Sequence, residues 1–132
     1  MESVLRLFSV AFDVDTFLRA HPELRPEAIH RVGKPTPGGR TSELNGANIL
    51  VFEAEDWRSA LEGTLERLES LRTTLADARR AGAEVGVDFA FYLGDRFAMR
   101  SAVLGVEDMK RFVALGVDVE VTAYATGGER AG

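Results

Sequence analysis

The chain of 132 residues contains no cysteine, which removes disulfides, thiolate metal sites and cysteine nucleophiles at one stroke. Histidine is scarce. His21 and His30 are the only two, and neither sits in a His-x-His or His-Glu-x-x-His pattern or beside a carboxylate cluster, so no metal or other cofactor is expected. No apolar run approaches the roughly 20 residues that cross a bilayer. Residues 1–6 lack the basic start and apolar stretch of a signal peptide. A nucleophile elbow is missing too, which sets a Ser-His-Asp hydrolase aside. These absences together describe a cytoplasmic protein with no membrane segment.

Lysine is also nearly absent, with only Lys34 and Lys110 against a background of arginine. The bias reads as base composition rather than function. The arginines are scattered among acids and form no basic stripe, and the net charge is −5, so nucleic acid is not an expected partner. Mild acidity favours solubility and, where a macromolecule is met, a basic one. Hydrophobic residues at 45% and charged residues at 28% are ordinary for a globular domain long enough to bury a core.

Periodicity is clearest between residues 83 and 124. Val85, Val87, Phe89, Phe91 and Leu93 alternate with Gly86, Asp88, Ala90 and Tyr92, the period of a half-buried strand. Val117, Val119, Val121 and Ala123 alternate with polar residues in the same way. Residues 106–115 have helical spacing and stop at Gly116. Upstream, residues 4–12 are apolar on both faces except at Arg6 and Ser9, which predicts a central strand. Asp13 or Asp15 caps a short helix that Pro22 ends. Residues 28–33 and 48–53 are further strands, separated by a loop over residues 34–46 rich in proline and glycine.

From Asp56 the period becomes helical, with Trp57, Leu61, Leu65, Leu68, Leu71, Leu75 and Ala78 on one stripe and Gly82 as the stop. One straight helix there would run about 39 Å, so a break within residues 70–74 is expected. Matching of side-chain faces predicts a hairpin turning at residues 94–96, with Phe89 opposite Ser101 and Val87 opposite Val103. The expected fold is an α+β two-layer sandwich, a mostly antiparallel sheet of five or six strands with helices on one face. The order is β-α-β-β-α-β-β-α-β. One domain spans residues 1–126, with residues 127–132 as a flexible tail.

The pattern resembles a family of small bacterial proteins catalogued as a domain of unknown function. The likeness lies in the strand and acid-capped helix of residues 8–17 and the Gly-x-Pro-Thr turn at Gly33, Lys34, Pro35 and Thr36. It continues through Gly39-Arg40 into the strand of residues 49–52, where Phe52 stands in for an expected tryptophan. Leu115-Gly116 leading to Tyr124 completes it. The resemblance implies the fold and carries no activity.

Two places carry candidate chemistry. The loop of residues 33–42 offers Lys34 and Arg40 with the hydroxyls of Thr36, Thr41 and Ser42, and backbone amides can cradle anions. The Walker order is absent and prolines remove amide donors, so a plain strand connector is the better account. The open sheet face should carry Asp88, Tyr92, Arg100, Glu120 and Tyr124, with Asp88 and Arg100 as diagonal partners.

With no catalytic inventory, the leading expectation is a non-enzymatic binding or interaction protein. An immunity-type protein that neutralises a basic toxin is one concrete version. The alternative is a binder of, or enzyme on, a small anionic metabolite, using the 33–42 loop and the open face. Gly86, Ala90, Ala98 and Ala102 make that face flat. With Tyr92 and Tyr124 it is also the expected surface of a homodimer.

Overall fold

Strand β1, Glu2–Ser9, lies at the centre of a five-stranded sheet, as its apolar sequence predicts. The computed structural model describes residues 1–36, 38–93 and 101–125. After β1 come α1 (Val14–Ala20), β2 (Ala28–His30), β3 (Asn45–Glu53), α2 (Trp57–Ser70), α3 (Arg72–Arg80), β4 (Glu84–Leu93), α4 (Val106–Leu115) and β5 (Asp118–Ala125). The spatial order is β2-β3-β1-β4-β5. β1 pairs antiparallel with both β3 and β4, and β2 with β3. β4 and β5 are parallel, joined by the α4 crossover.

Only one face of this sheet is dry. Leu5 and Leu7 of β1, Ala47 and Ile49 of β3, and Val85, Val87 and Phe89 of β4 all point into one core. The helices cover that face with Phe17, Leu61, Leu65, Leu68, Leu75, Phe112 and Leu115. Each fully buried leucine contributes about 1.5–3 kcal/mol, enough to fix the helix faces. Inside the core, the Ser3 and Thr64 hydroxyls hydrogen-bond at 2.7 Å and satisfy one another, tying β1 to α2. The result is the expected α+β sandwich.

Helix ends follow local chemistry. The Asp13 carboxylate accepts from the Thr16 amide at 3.1 Å and caps α1, so of the two aspartates offered by the sequence it is the first that caps. Asp15 instead forms a two-point ion pair with Arg31. Asp56 caps α2 through the Ser59 amide at 2.8 Å. The expected break in the long helix falls at Leu71, whose amide bonds to the Leu68 carbonyl at 3.0 Å and tightens the last turn of α2. Gly116 ends α4 at φ 68°, and the Arg79 guanidinium donates to the Leu115 carbonyl there.

Several expectations change. β1 ends at Ser9, and Phe12 folds under the sheet into the core instead of extending it. β2 stops at His30, while β3 begins at Asn45, inside the expected loop. The largest correction concerns the hairpin after β4. Residues 101–105 form no strand, and residues 94–100 lie outside the described residues. Phe89 and Val87 face Ser3 and Leu5 on one side and Val121 and Val119 on the other, so Ser101 and Val103 have no place beside them. The Val103 carbonyl instead accepts from the Trp57 indole at 2.7 Å. The expected tail, residues 127–132, also lies outside the described residues.

Two glycines on the back face differ in what they permit. A β-carbon on Gly46 would lie 2.4 Å from the Leu7 carbonyl oxygen and 2.9 Å from the Phe8 β-carbon, whereas one on Gly86 would meet nothing nearer than 3.6 Å. Gly46→Ala should therefore cost about 1–3 kcal/mol through forced backbone shifts. Gly86→Ala should be neutral or stabilising by about 0.4–1 kcal/mol through the unfolded chain. Urea denaturation measures both, and equal effects would contradict the geometry.

Hydrogen bonds at the caps and ion pairs hold several carboxylates below their ordinary range. Thr16 does so for Asp13, Arg31 for Asp15, Ser59 for Asp56 and Arg111 for Glu69. A depressed folded-state pKa gives stability that is present above the unfolded value, near 3.8 for Asp and 4.5 for Glu, and is lost as pH falls through the folded value. Melting temperature should therefore be level from about pH 7 to 5 and fall steadily below pH 4. Asp56→Asn should shallow that fall, and a profile equally steep in the variant would oppose the assignment.

Candidate functional site

The face of the sheet opposite the helices carries polar and small residues in rows set by strand register. One row runs Ala28, Asn48, Arg6, Gly86 and Asp118 across all five strands. The next includes His30, Gly46, Phe8 and Glu84. Across β4, the Arg6 guanidinium pairs with Glu120 of β5 at 3.0 Å. His30 and Asn48 are in contact at 3.4 Å through Nε2 and Nδ2.

Above one end of this floor stands a small hairpin made by the loop between β2 and β3. Pro35 and Thr41 form a bridge, and Gly33 and Ser42 are joined by an amide-to-carbonyl bond of 2.9 Å. The Thr36 amide donates to the Arg40 carbonyl at 2.7 Å, and its hydroxyl donates there as well, at 2.8 Å. Gly39 supplies the positive φ of 82° that closes the tip. Pro37 lies outside the described residues. What composition alone reads as an irregular connector is therefore a hydrogen-bonded arm.

Arm and floor enclose an open cleft of about 720 Å³, within the range of small-molecule sites. Its walls include Thr36, Arg40, Thr41, Glu43 and Leu44 from the arm. Arg6, Phe8, His30, Asn48, Gly86, Asp118 and Glu120 come from the sheet. Arg6 and Glu120 satisfy one another, whereas Arg40, Glu43 and Asp118 have no ion-pair partner among the described residues. The Thr36 and Ser42 hydroxyls donate to backbone carbonyls, so neither is held by a base as a nucleophile would be.

The residues singled out by the sequence divide accordingly. Arg40 and Glu120 both line the cleft. Lys34 stands on the exposed side of the arm, outside the lining. Asp88 and Glu120 are direct neighbours across β4 and β5, but Asp88 accepts a hydrogen bond of 2.8 Å from the Thr122 hydroxyl. Arg100, its expected partner, lies outside the described residues, as does Ala98. Tyr92 and Tyr124 pair in register and stack at 5.4 Å, and the Tyr92 hydroxyl donates to Glu2 at 3.2 Å. They form a separate patch beyond the cleft.

Sequence reasoning misses Arg6, His30, Asn48 and Asp118 as members of one site. The one visible signal is Arg6 itself, a charge inside an otherwise apolar central strand. Elsewhere, Arg111 of α4 bridges Glu62 and Glu69 of α2 at 3.0 and 2.7 Å, with Asp108 and Arg58 beside them. These contacts hold two helices together. No group of three or more potential metal ligands occurs among the described residues, and no helix among them is long and apolar enough to cross a membrane. Comparisons with protein-family models, with curated proteins and with solved structures found no match to this chain.

Proposed function

We propose that this protein binds a small polar molecule with an anionic group in the open-face cleft, as a binding protein rather than a catalyst. The observation that carries this reading is the arm, which brings Arg40, without an ion-pair partner among the described residues, into the wall of a cleft with a polar floor. Arginine presents a planar fork suited to carboxylate or phosphate, and an unpaired one at a cleft wall is available to a ligand. Asn48 and His30 add donors and acceptors on the floor, while Phe8 and Leu44 add apolar surface. This joins the two regions that the alternative sequence reading named, the 33–42 loop and the open face.

A screen of small carboxylates, phosphates and zwitterions by thermal shift tests the proposal. A ligand at 100 times its Kd stabilises by about 2.7 kcal/mol, which raises the melting temperature of a domain this size by several degrees. The shift should be lost in Arg40→Ala and in Gly86→Leu, which fills the floor where a β-carbon is tolerated. A flat screen, or a shift untouched by both changes, would retire the reading.

A second reading, an interaction protein of immunity type, is favoured by a different surface. Val106, Met109 and Val113 form a stripe on α4 that is 63%, 42% and 77% exposed, on a chain of net charge −5 suited to a basic partner. Recovery from the native host of one basic protein, lost in Val113→Asp, would support it. Recovery that is unchanged in the variant, or no recovery, would count against it. A homodimer through the open face would cover the cleft, so it competes with the ligand for the same surface.

A further inference from the structure

We infer that the ligand of this cleft is an elongated zwitterion, held by its anionic group at the Arg40 arm and by its cationic group at the β5 end of the floor. The inference rests on the proposed small-molecule reading and specifies the chemistry of that ligand. The lining carries two arginines against three carboxylates, Glu43, Asp118 and Glu120. Arg6 is engaged by Glu120, so among the described residues Arg40 is the lining arginine without an ion pair, and Glu43 and Asp118 are the lining carboxylates without one. A ligand with several negative charges would gain one guanidinium and meet an excess of carboxylates. A ligand that is anionic at one end and cationic at the other satisfies both.

The topology separates the two ends. The arm joins β2 to β3, on one side of the sheet, and Asp118 opens β5 at the far edge. From Asn48 on β3 to Asp118 on β5 there are three strand spacings, about 14 Å at 4.8 Å each. An extended peptide covers that span in about four residues at 3.3–3.6 Å apiece, and a cleft of 720 Å³ has room for a ligand of that order. Gly86, midway along the floor, leaves the path low, while Phe8 and Leu44 offer apolar contact to the ligand's middle.

Calorimetric titration of the intact chain with tetra-alanine tests this directly, using the free peptide, its N-acetylated form, its C-terminal amide and the form blocked at both ends. The free peptide should bind, and each block should weaken binding at least tenfold. Arg40→Ala should make amidation inconsequential while acetylation still costs tenfold, and Asp118→Asn should show the reverse. Because both residues are exposed and without ion pairs among the described residues, neither change should alter the fold, and the melting temperature of each variant checks this. If the doubly blocked peptide binds as well as the free one, or if inorganic phosphate or a dicarboxylate binds through Arg40 while the peptide does not, the zwitterion is wrong and the small-molecule cleft stands. If no small molecule binds at all, both fall.

Discussion

One-sided burial of the sheet is the constraint from which the other features descend. β1 is paired on both edges, and its Leu5 and Leu7 point to the same side as Val85, Val87 and Phe89 of β4. The connections place α1, α2, α3 and α4 on that side, where the apolar stripes of the helices are satisfied. The back face is therefore left without helical cover, and residues there are under no pressure to be apolar. Arg6, Asn48 and Asp88 can occupy central or near-central strands only because water reaches them. The arm of residues 33–42 then turns part of this wet surface into a cleft.

Much of that architecture is written in local periodicity. The alternation in β4 and β5, the leucine spacing of α2 and α3 and the caps at Asp13, Asp56 and Gly116 are properties of neighbours in sequence. Even the break at Leu71 is foreshadowed by length. Pairing is different. The alternation of β4 says which of its faces is buried, but not which strand lies beside it. Matching faces across residues 94–96 gives an acceptable hairpin, yet β4 takes β1 and β5 as neighbours through long-range packing. The α4 stripe of Phe112 and Leu115 must cover the same core face as Phe89, and a parallel crossover achieves this directly.

The site is legible in the sequence only in halves. Arg40 and the hydroxyls of the loop are conspicuous, and Glu120 falls on the open face by parity. Nothing local places His30, Asn48, Arg6 and Asp118 in adjacent rows, because that proximity is set by four strand registers at once. The loop is misjudged for a related reason. Proline and glycine predict irregularity, yet with φ 82° available at both Gly33 and Gly39, the amides of residues 33, 36 and 42 can find carbonyls across the loop. An arm held by its own backbone bonds can project from the sheet without being packed against it.

The Arg6–Glu120 pair shows how the floor divides its charges. Both side chains are about half exposed, so an isolated pair of this kind stabilises the fold by no more than about 1 kcal/mol. Its larger consequence is positional. The Arg6 guanidinium occupies Glu120, and the nearby Asp118 has no ion-pair partner among the described residues. At the other end, the bonds of the arm involve the Arg40 carbonyl, and its guanidinium has no ion-pair partner among the described residues. One end of the trough thus carries Arg40 and Glu43 on the arm and the other carries Asp118 on the sheet, none of them ion-paired among the described residues. Strand spacing sets their separation, because Asp118 is fixed to β5 and the arm springs from β2 and β3.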